Sequence, residues 1–101
     1  MSSQDEITTI GRFQAREGCE GELEQAIREC WAPARAEPGC VSITWYKSVR
    51  NPRLFFVYSQ WADDQAFEIH AELPHTVKFI ETAERLMDHP LDVTRLRPIQ
   101  E

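Results

Sequence analysis

Residues 54–79 read LFFVYSQWADDQAFEIHAELPHTVKF, and this stretch decides the fold. Leu54 to Trp61 is a run of aromatic and apolar residues suited to a strand. Asp63 or Asp64 follows at once and can cap a helix running to about Glu72. Leu73-Pro74 breaks that helix, because proline disfavours helical backbone in the residue before it. His75 then opens a last helix to about Met87, with Phe79, Ile80, Ala83, Leu86 and Met87 on its buried side. A strand that gives way directly to helix gathers Trp61, His70 and His75 at the mouth of a small apolar pocket.

Upstream, Ile7 to Arg16 reads as a strand with Gly11, Phe13 and Ala15 on one face, ended by the polar turn Glu17-Gly18-Cys19-Glu20-Gly21. From Glu22 the period becomes helical: Leu23, Ala26, Ile27, Cys30, Trp31 and Ala34 share one stripe. Pro33 predicts a kink or a loosened last turn, and Pro38-Gly39 ends the run. Cys40 to Ser48 alternates Val41, Ile43 and Trp45 against Ser42, Thr44 and Tyr46. With the short polar link Arg50-Asn51-Pro52-Arg53 it forms an antiparallel hairpin with the next strand. Asp88-His89-Pro90 stops the final helix, and Leu91 to Pro98 makes a short closing strand.

The order is therefore β-α-β-β-α-β with an extra short helix, a ferredoxin-like α+β domain with an antiparallel sheet. One domain is expected over residues 1–101, with its core at about 7–99. Leu54, Phe55, Phe56, Val57, Tyr58 and Trp45 are too many large side chains for the one face that two helices cover. A monomer would leave that surface bare, so a homodimer with sheets face to face is expected.

Composition narrows the functional classes. Lys and Arg number 11 against 17 Asp and Glu, giving a net charge of −6, and the arginines are scattered. A nucleic-acid partner needs a basic footprint, and none is present. No apolar run approaches the roughly 20 residues that span a bilayer. The N-terminal MSSQDEITTIG is polar and acidic, unlike a signal or transit sequence, so a cytoplasmic location is expected. Cys19, Cys30 and Cys40 form no CxxC and have no nearby histidine at zinc-ligand spacing; they read as reduced structural thiols.

The order and spacing of several residues resemble the antibiotic biosynthesis monooxygenase (ABM) domains of the dimeric α+β barrel superfamily. Glu37-Pro38-Gly39-Cys40 opens a strand, Tyr46 ends its apolar part, and Tyr58 precedes Trp61 on the next strand. Asp63, Ala66, Phe67 and His70 follow on a helix, then Pro74-His75 and Phe79, and Leu96-x-Pro98 closes the pattern. The resemblance covers residues 7 to 99 and implies a homodimer with a pocket in each subunit. Several members oxygenate quinols, anthrones and related phenolic polyketides with dioxygen and without metal, flavin or haem. Others degrade haem or isomerise small phosphorylated compounds, so the fold does not fix the reaction. Two departures matter. Ser59 stands where the family often has glutamate. Haem-degrading members carry a haem-ligating histidine where this chain reads Phe79-Ile80-Glu81-Thr82, and a tryptophan where it has His70, so haem degradation is disfavoured.

The resemblance makes His70 the candidate catalytic base, since a neutral imidazole can accept a phenolic proton. The competing structural reading is a buried histidine bonded to backbone near the helix end. His75, Trp61, Tyr46, Tyr58 and Phe56 are the candidate substrate contacts, with Trp45 a further wall; their face assignment is open by one register. Each could instead be core or dimer packing, and His75 could be a helix-start cap. No metal or other cofactor is implied. The leading expectation is a cofactor-independent monooxygenase acting on a small quinol or polyphenol. Its rivals are an isomerase or lyase using His70 as a proton shuttle, and a non-catalytic small-molecule-binding dimer.

Overall fold

The computed structural model describes residues 5–99. Its elements are β1 (Ile7–Gln14), α1 (Glu20–Arg35), β2 (Cys40–Lys47), β3 (Leu54–Trp61), α2 (Asp64–Glu72), α3 (Pro74–Leu86) and β4 (Asp92–Leu96). The four strands form one antiparallel sheet in the order β2-β3-β1-β4. This is the ferredoxin-like α+β arrangement that the element order predicts. The expected kink at Pro33 does not end α1, which continues to Arg35.

Helices α1 and α3 cover one face of the sheet. Phe13, Trp45 and Phe79 meet there with ring centroids 5.1 to 5.6 Å apart, Phe79 edge-on to the other two rings and Phe13 tilted against Trp45. Leu23, Ile27, Val57, Ala83 and Leu86 complete the core around them. The inner positions of β1 are Ile7, Thr9, Gly11 and Phe13, and those of β3 are Phe55, Val57, Ser59 and Trp61.

That phase corrects three expectations. Phe56 and Tyr58 of β3, and Tyr46 paired to Phe56 on β2, point to the opposite face of the sheet. Tyr46 is 56% and Tyr58 42% exposed in the single chain. Alternation is strict in a strand, so Phe55 and Val57 inside force Phe56 and Tyr58 outside. Val41 is also outside, because a bulge between Cys40 and Ser42 shifts its phase relative to Ile43 and Trp45.

Two local features build the corner where the candidate site residues meet. Asp63 caps α2, its Oδ1 accepting the Ala66 backbone N–H at 2.8 Å. Leu73 is extended (φ −73°, ψ 148°) and serves as both the C-cap of α2 and the N-cap of α3, with Pro74 in the first turn of α3. The chain thus turns between helices within one residue, and the last turn of α2 abuts the first turn of α3. The loop before β2 packs onto the same corner. Ala62 N–H donates to Gly39 carbonyl at 2.9 Å, and a Cβ built on Gly39 would sit 2.4 Å from Ala66 Cβ. Only glycine permits that approach. Gly39→Ala is expected to lower unfolding stability by about 1–3 kcal/mol through overpacking, read as a drop in the urea midpoint. An unchanged midpoint would mean the loop does not depend on this contact.

Candidate active site

Between the sheet and the helices lies a partly open cavity of about 330 Å³ lined mainly by apolar side chains, including Phe13, Trp45, Val57, Phe67, Phe79 and Val93. His70, from the last turn of α2, and His75, from the first turn of α3, both reach its wall. Glu37, from the loop before β2, lies between them. Its Oε2 is 2.8 Å from His70 Nδ1 and 2.6 Å from His75 Nε2, and its side chain is only 8% exposed. Thr76 Oγ1 is 3.3 Å from His70 Nδ1.

An ionised carboxylate only accepts hydrogen bonds, so each histidine must present an N–H to it. As a neutral ring His70 is then the Nδ1–H tautomer, with its lone pair on Nε2. His75 is the Nε2–H tautomer, with its lone pair on Nδ1. Among the described residues no side chain bonds His70 Nε2. A carboxylate that fixes an imidazole's tautomer and leaves the far nitrogen as an acceptor is the arrangement a general base requires.

Trp61 does not reach the cavity. It is fully buried behind His70, with ring centroids 4.3 Å apart, and also packs on Phe67 at 5.9 Å. Its indole N–H donates to Ser59 Oγ at 3.0 Å, and Ser59 is hydrogen-bonded in turn to Thr9. Ser59 and Thr9 therefore satisfy each other and the indole in an otherwise apolar wall. Ser59 anchors the ring that supports His70, and a carboxylate there would change both charge and packing. Arg95 also borders the cavity, stacked over Phe67 with its guanidinium carbon 4.7 Å from the ring centroid and bonded to Glu68 at 2.9 Å.

His70 and His75 are thus brought together at the cavity, and Trp61 stands immediately behind them. Tyr46, Phe56 and Tyr58 are not brought to it in the single chain. Glu37 is not among the site residues read from the sequence: it opens the ABM-like pattern that also holds His70 and His75, but precedes them by 33 and 38 positions, and nothing local shows that the three meet. The signal available was an acidic residue placed just before an apolar strand with two histidines still unpartnered.

Residues 6–82 match the model of a family described as antibiotic biosynthesis monooxygenase. The chain belongs to this family. It is 27% identical over 95 residues to "Putative monooxygenase Rv0793" of Mycobacterium tuberculosis, covering 94% of this chain and 93% of that protein. The solved structure of Rv0793 superposes with a TM-score of 0.88 at 26% identity, covering 95% of this chain and 97% of that one. PA3566 from Pseudomonas aeruginosa gives a TM-score of 0.89 at 28% identity, covering 99% of this chain and all of that chain, 100%. The Synechocystis protein sll1783 is 23% identical over 91 residues, 90% of this chain, and the chain spans 62% of its length. The ABM resemblance and the ferredoxin-like fold read from the sequence are both established by these matches. Among the described residues no helix is long and apolar enough to cross a membrane.

Cys30 also borders the cavity, and burial pushes its thiol up to about 12. A rise from 9.0 to about 12 leaves roughly a thousandfold less thiolate at pH 8. Cys30 is therefore a wall residue held in its thiol form. Iodoacetamide at pH 8 is expected to alkylate it more than ~100-fold slower in the folded protein than in denaturant, read by peptide mass spectrometry. Comparable rates would show an accessible thiolate.

Proposed function

We propose that the protein is a cofactor-independent monooxygenase that oxidises a small quinol or polyphenol with dioxygen. The observation that carries this reading is His70, tethered to Glu37 through Nδ1 on the wall of an apolar cavity. Membership of the ABM family and likeness to a protein named as a monooxygenase support the same class. The cavity volume of about 330 Å³ lies at the small end of ligand sites, which favours a compact ring system over an extended polycyclic one.

In this reading Nε2 of His70 takes the phenolic proton, and Glu37 stabilises the imidazolium that results. The phenolate gives one electron to dioxygen, and the carbon radical and superoxide recombine to a peroxide. Loss of water, with the proton returned from His70, leaves a carbonyl. The balance is one CH2 of the keto tautomer plus O2 giving C=O plus H2O; the substrate supplies all the electrons. Apolar walls keep bulk water from the anion. Trp45 lies on the wall with a buried indole N–H that has no partner among the described residues, a donor suited to a substrate oxygen.

A second reading draws on His75. Two imidazoles sharing one carboxylate provide an acid and a base, as an isomerase acting on an enolisable carbonyl needs. Turnover under anaerobic conditions would favour it. In either reading a second copy covers the outer sheet face, where Ile10, Tyr46, Tyr58 and Leu96 are exposed. Light scattering is expected to give twice the 11.8 kDa chain mass, and a monomer at micromolar concentration would contradict this.

The deciding assay is oxygen uptake against a panel of naphthoquinols, catechols and anthrones. His70→Ala is expected to lower kcat/KM by about 10²–10⁴-fold, the usual worth of a general base. Glu37→Gln, which keeps the size and removes the charge, is expected to cost about tenfold or more. Full turnover in His70→Ala would remove the base from the account.

A further inference from the structure

Glu37, His70 and His75 have a second capability that base catalysis does not use. One carboxylate oxygen and two imidazole nitrogens, from three separate elements, all lie within 4.8 Å of one another. Two nitrogens and one carboxylate oxygen suit a divalent first-row metal, zinc included, and a three-ligand set leaves coordination positions open. We propose that this trio is a binding site for a divalent transition-metal ion, and that occupancy switches His70 off as a base.

The distances support the first half. Four-coordinate zinc with bonds near 2.0–2.1 Å sets its ligand atoms roughly 3.3 Å apart. Glu37 Oε2 is 2.8 Å from one imidazole nitrogen and 2.6 Å from the other. Each imidazole nitrogen must move about half an ångström or slightly more away from the carboxylate oxygen. The two nitrogens, within 4.8 Å of each other, must close to about 3.3 Å; side-chain rotations of the two rings would admit the ion. The charge is also suitable. Glu37 brings one negative charge into a site where its side chain is 8% exposed, and buried carboxylates are found paired or on metals. The cavity beside the trio leaves room for a water or ligand atom on the open side.

The atoms aimed at the centre are His70 Nδ1 and His75 Nε2, which carry the N–H groups donated to Glu37. A metal needs the lone pairs of those nitrogens. Two hydrogen bonds break, three coordinate bonds form, and each proton moves to the other nitrogen of its own ring, so no proton is released overall. His70 Nε2 thereby changes from an acceptor into a donor. The ion and the base are mutually exclusive at one imidazole. This inhibitory consequence rests on the monooxygenase reading; the metal site itself does not.

The test is calorimetric titration of the chelator-treated full chain with zinc(II), with cobalt(II) spectra taken in parallel. The expected result is one ion per chain and visible d–d bands typical of a four- or five-coordinate mixed nitrogen and oxygen site. Glu37→Gln and His75→Ala should each weaken zinc binding at least tenfold, while His89→Ala, at an exposed histidine, should leave it unchanged. Should either variant fail to fold by circular dichroism, the wild-type histidine NMR spectrum decides, since zinc must shift the ring signals of His70 and His75 and spare those of His89. Absence of saturable binding, or shifts confined to His89, would overturn the site. Stoichiometric zinc should lower oxygen uptake at least tenfold, and chelator should restore it. Zinc that binds at the trio without lowering measurable uptake would overturn the switch and leave the site. If zinc binds but no substrate is oxidised in the metal-free protein, the monooxygenase reading fails instead, and with it the inhibitory role.

Discussion

The corner of this molecule depends on one carboxylate. Glu37 has a largely buried side chain, and a buried charge is costly unless it is paired or hydrogen-bonded. Oε2 finds two, His70 Nδ1 at 2.8 Å and His75 Nε2 at 2.6 Å. Those two bonds join the loop before β2 to the end of α2 and the start of α3. They also determine which nitrogen of each ring carries the proton, and therefore which can do chemistry.

Much of the remaining architecture serves to bring these three side chains together. Pro74 ends one helix and begins the next, so His70 and His75 stand side by side with ring centroids 6.3 Å apart. Gly39 lets the loop carrying Glu37 close against Ala66 of α2. Trp61 holds the His70 ring from behind, and Ser59 with Thr9 anchors the indole. The order of causes runs from proline and glycine through packing to a defined tautomer. The surrounding cavity then supplies an apolar, aromatic environment in which an anion or a cation at this corner feels a stronger field than in water.

The element pattern was legible because each segment had one dominant period and clear punctuation. Leu54–Trp61 was found to the residue, and the helix stops at Leu73-Pro74 and Asp88-Pro90 were found where the chain turns. Phase within the strands was another matter. LFFVYSQW is apolar at both odd and even positions, so alternation cannot say which set faces the helices. Ser59, a polar residue at an inner position, does not help to fix the phase, since only its partners Thr9 and Trp61 make its burial acceptable. Tyr46, Phe56 and Tyr58 accordingly went to the outer face, away from the cavity. His70 and His75 were visible because histidine is uncommon and both sit at helix ends. Glu37 was not, because its role arises only when the fold closes a gap of more than thirty residues.

The most direct measurement of the central claim is the tautomer of each histidine, by two-bond 1H–15N correlation NMR of the labelled protein at mildly alkaline pH and free of metal. A shared carboxylate requires the Nδ1–H form for His70 and the Nε2–H form for His75, each with a downfield N–H proton that is lost in Glu37→Gln. An Nε2–H tautomer at His70, or spectra of both rings unaltered by Glu37→Gln, would contradict the shared-carboxylate arrangement.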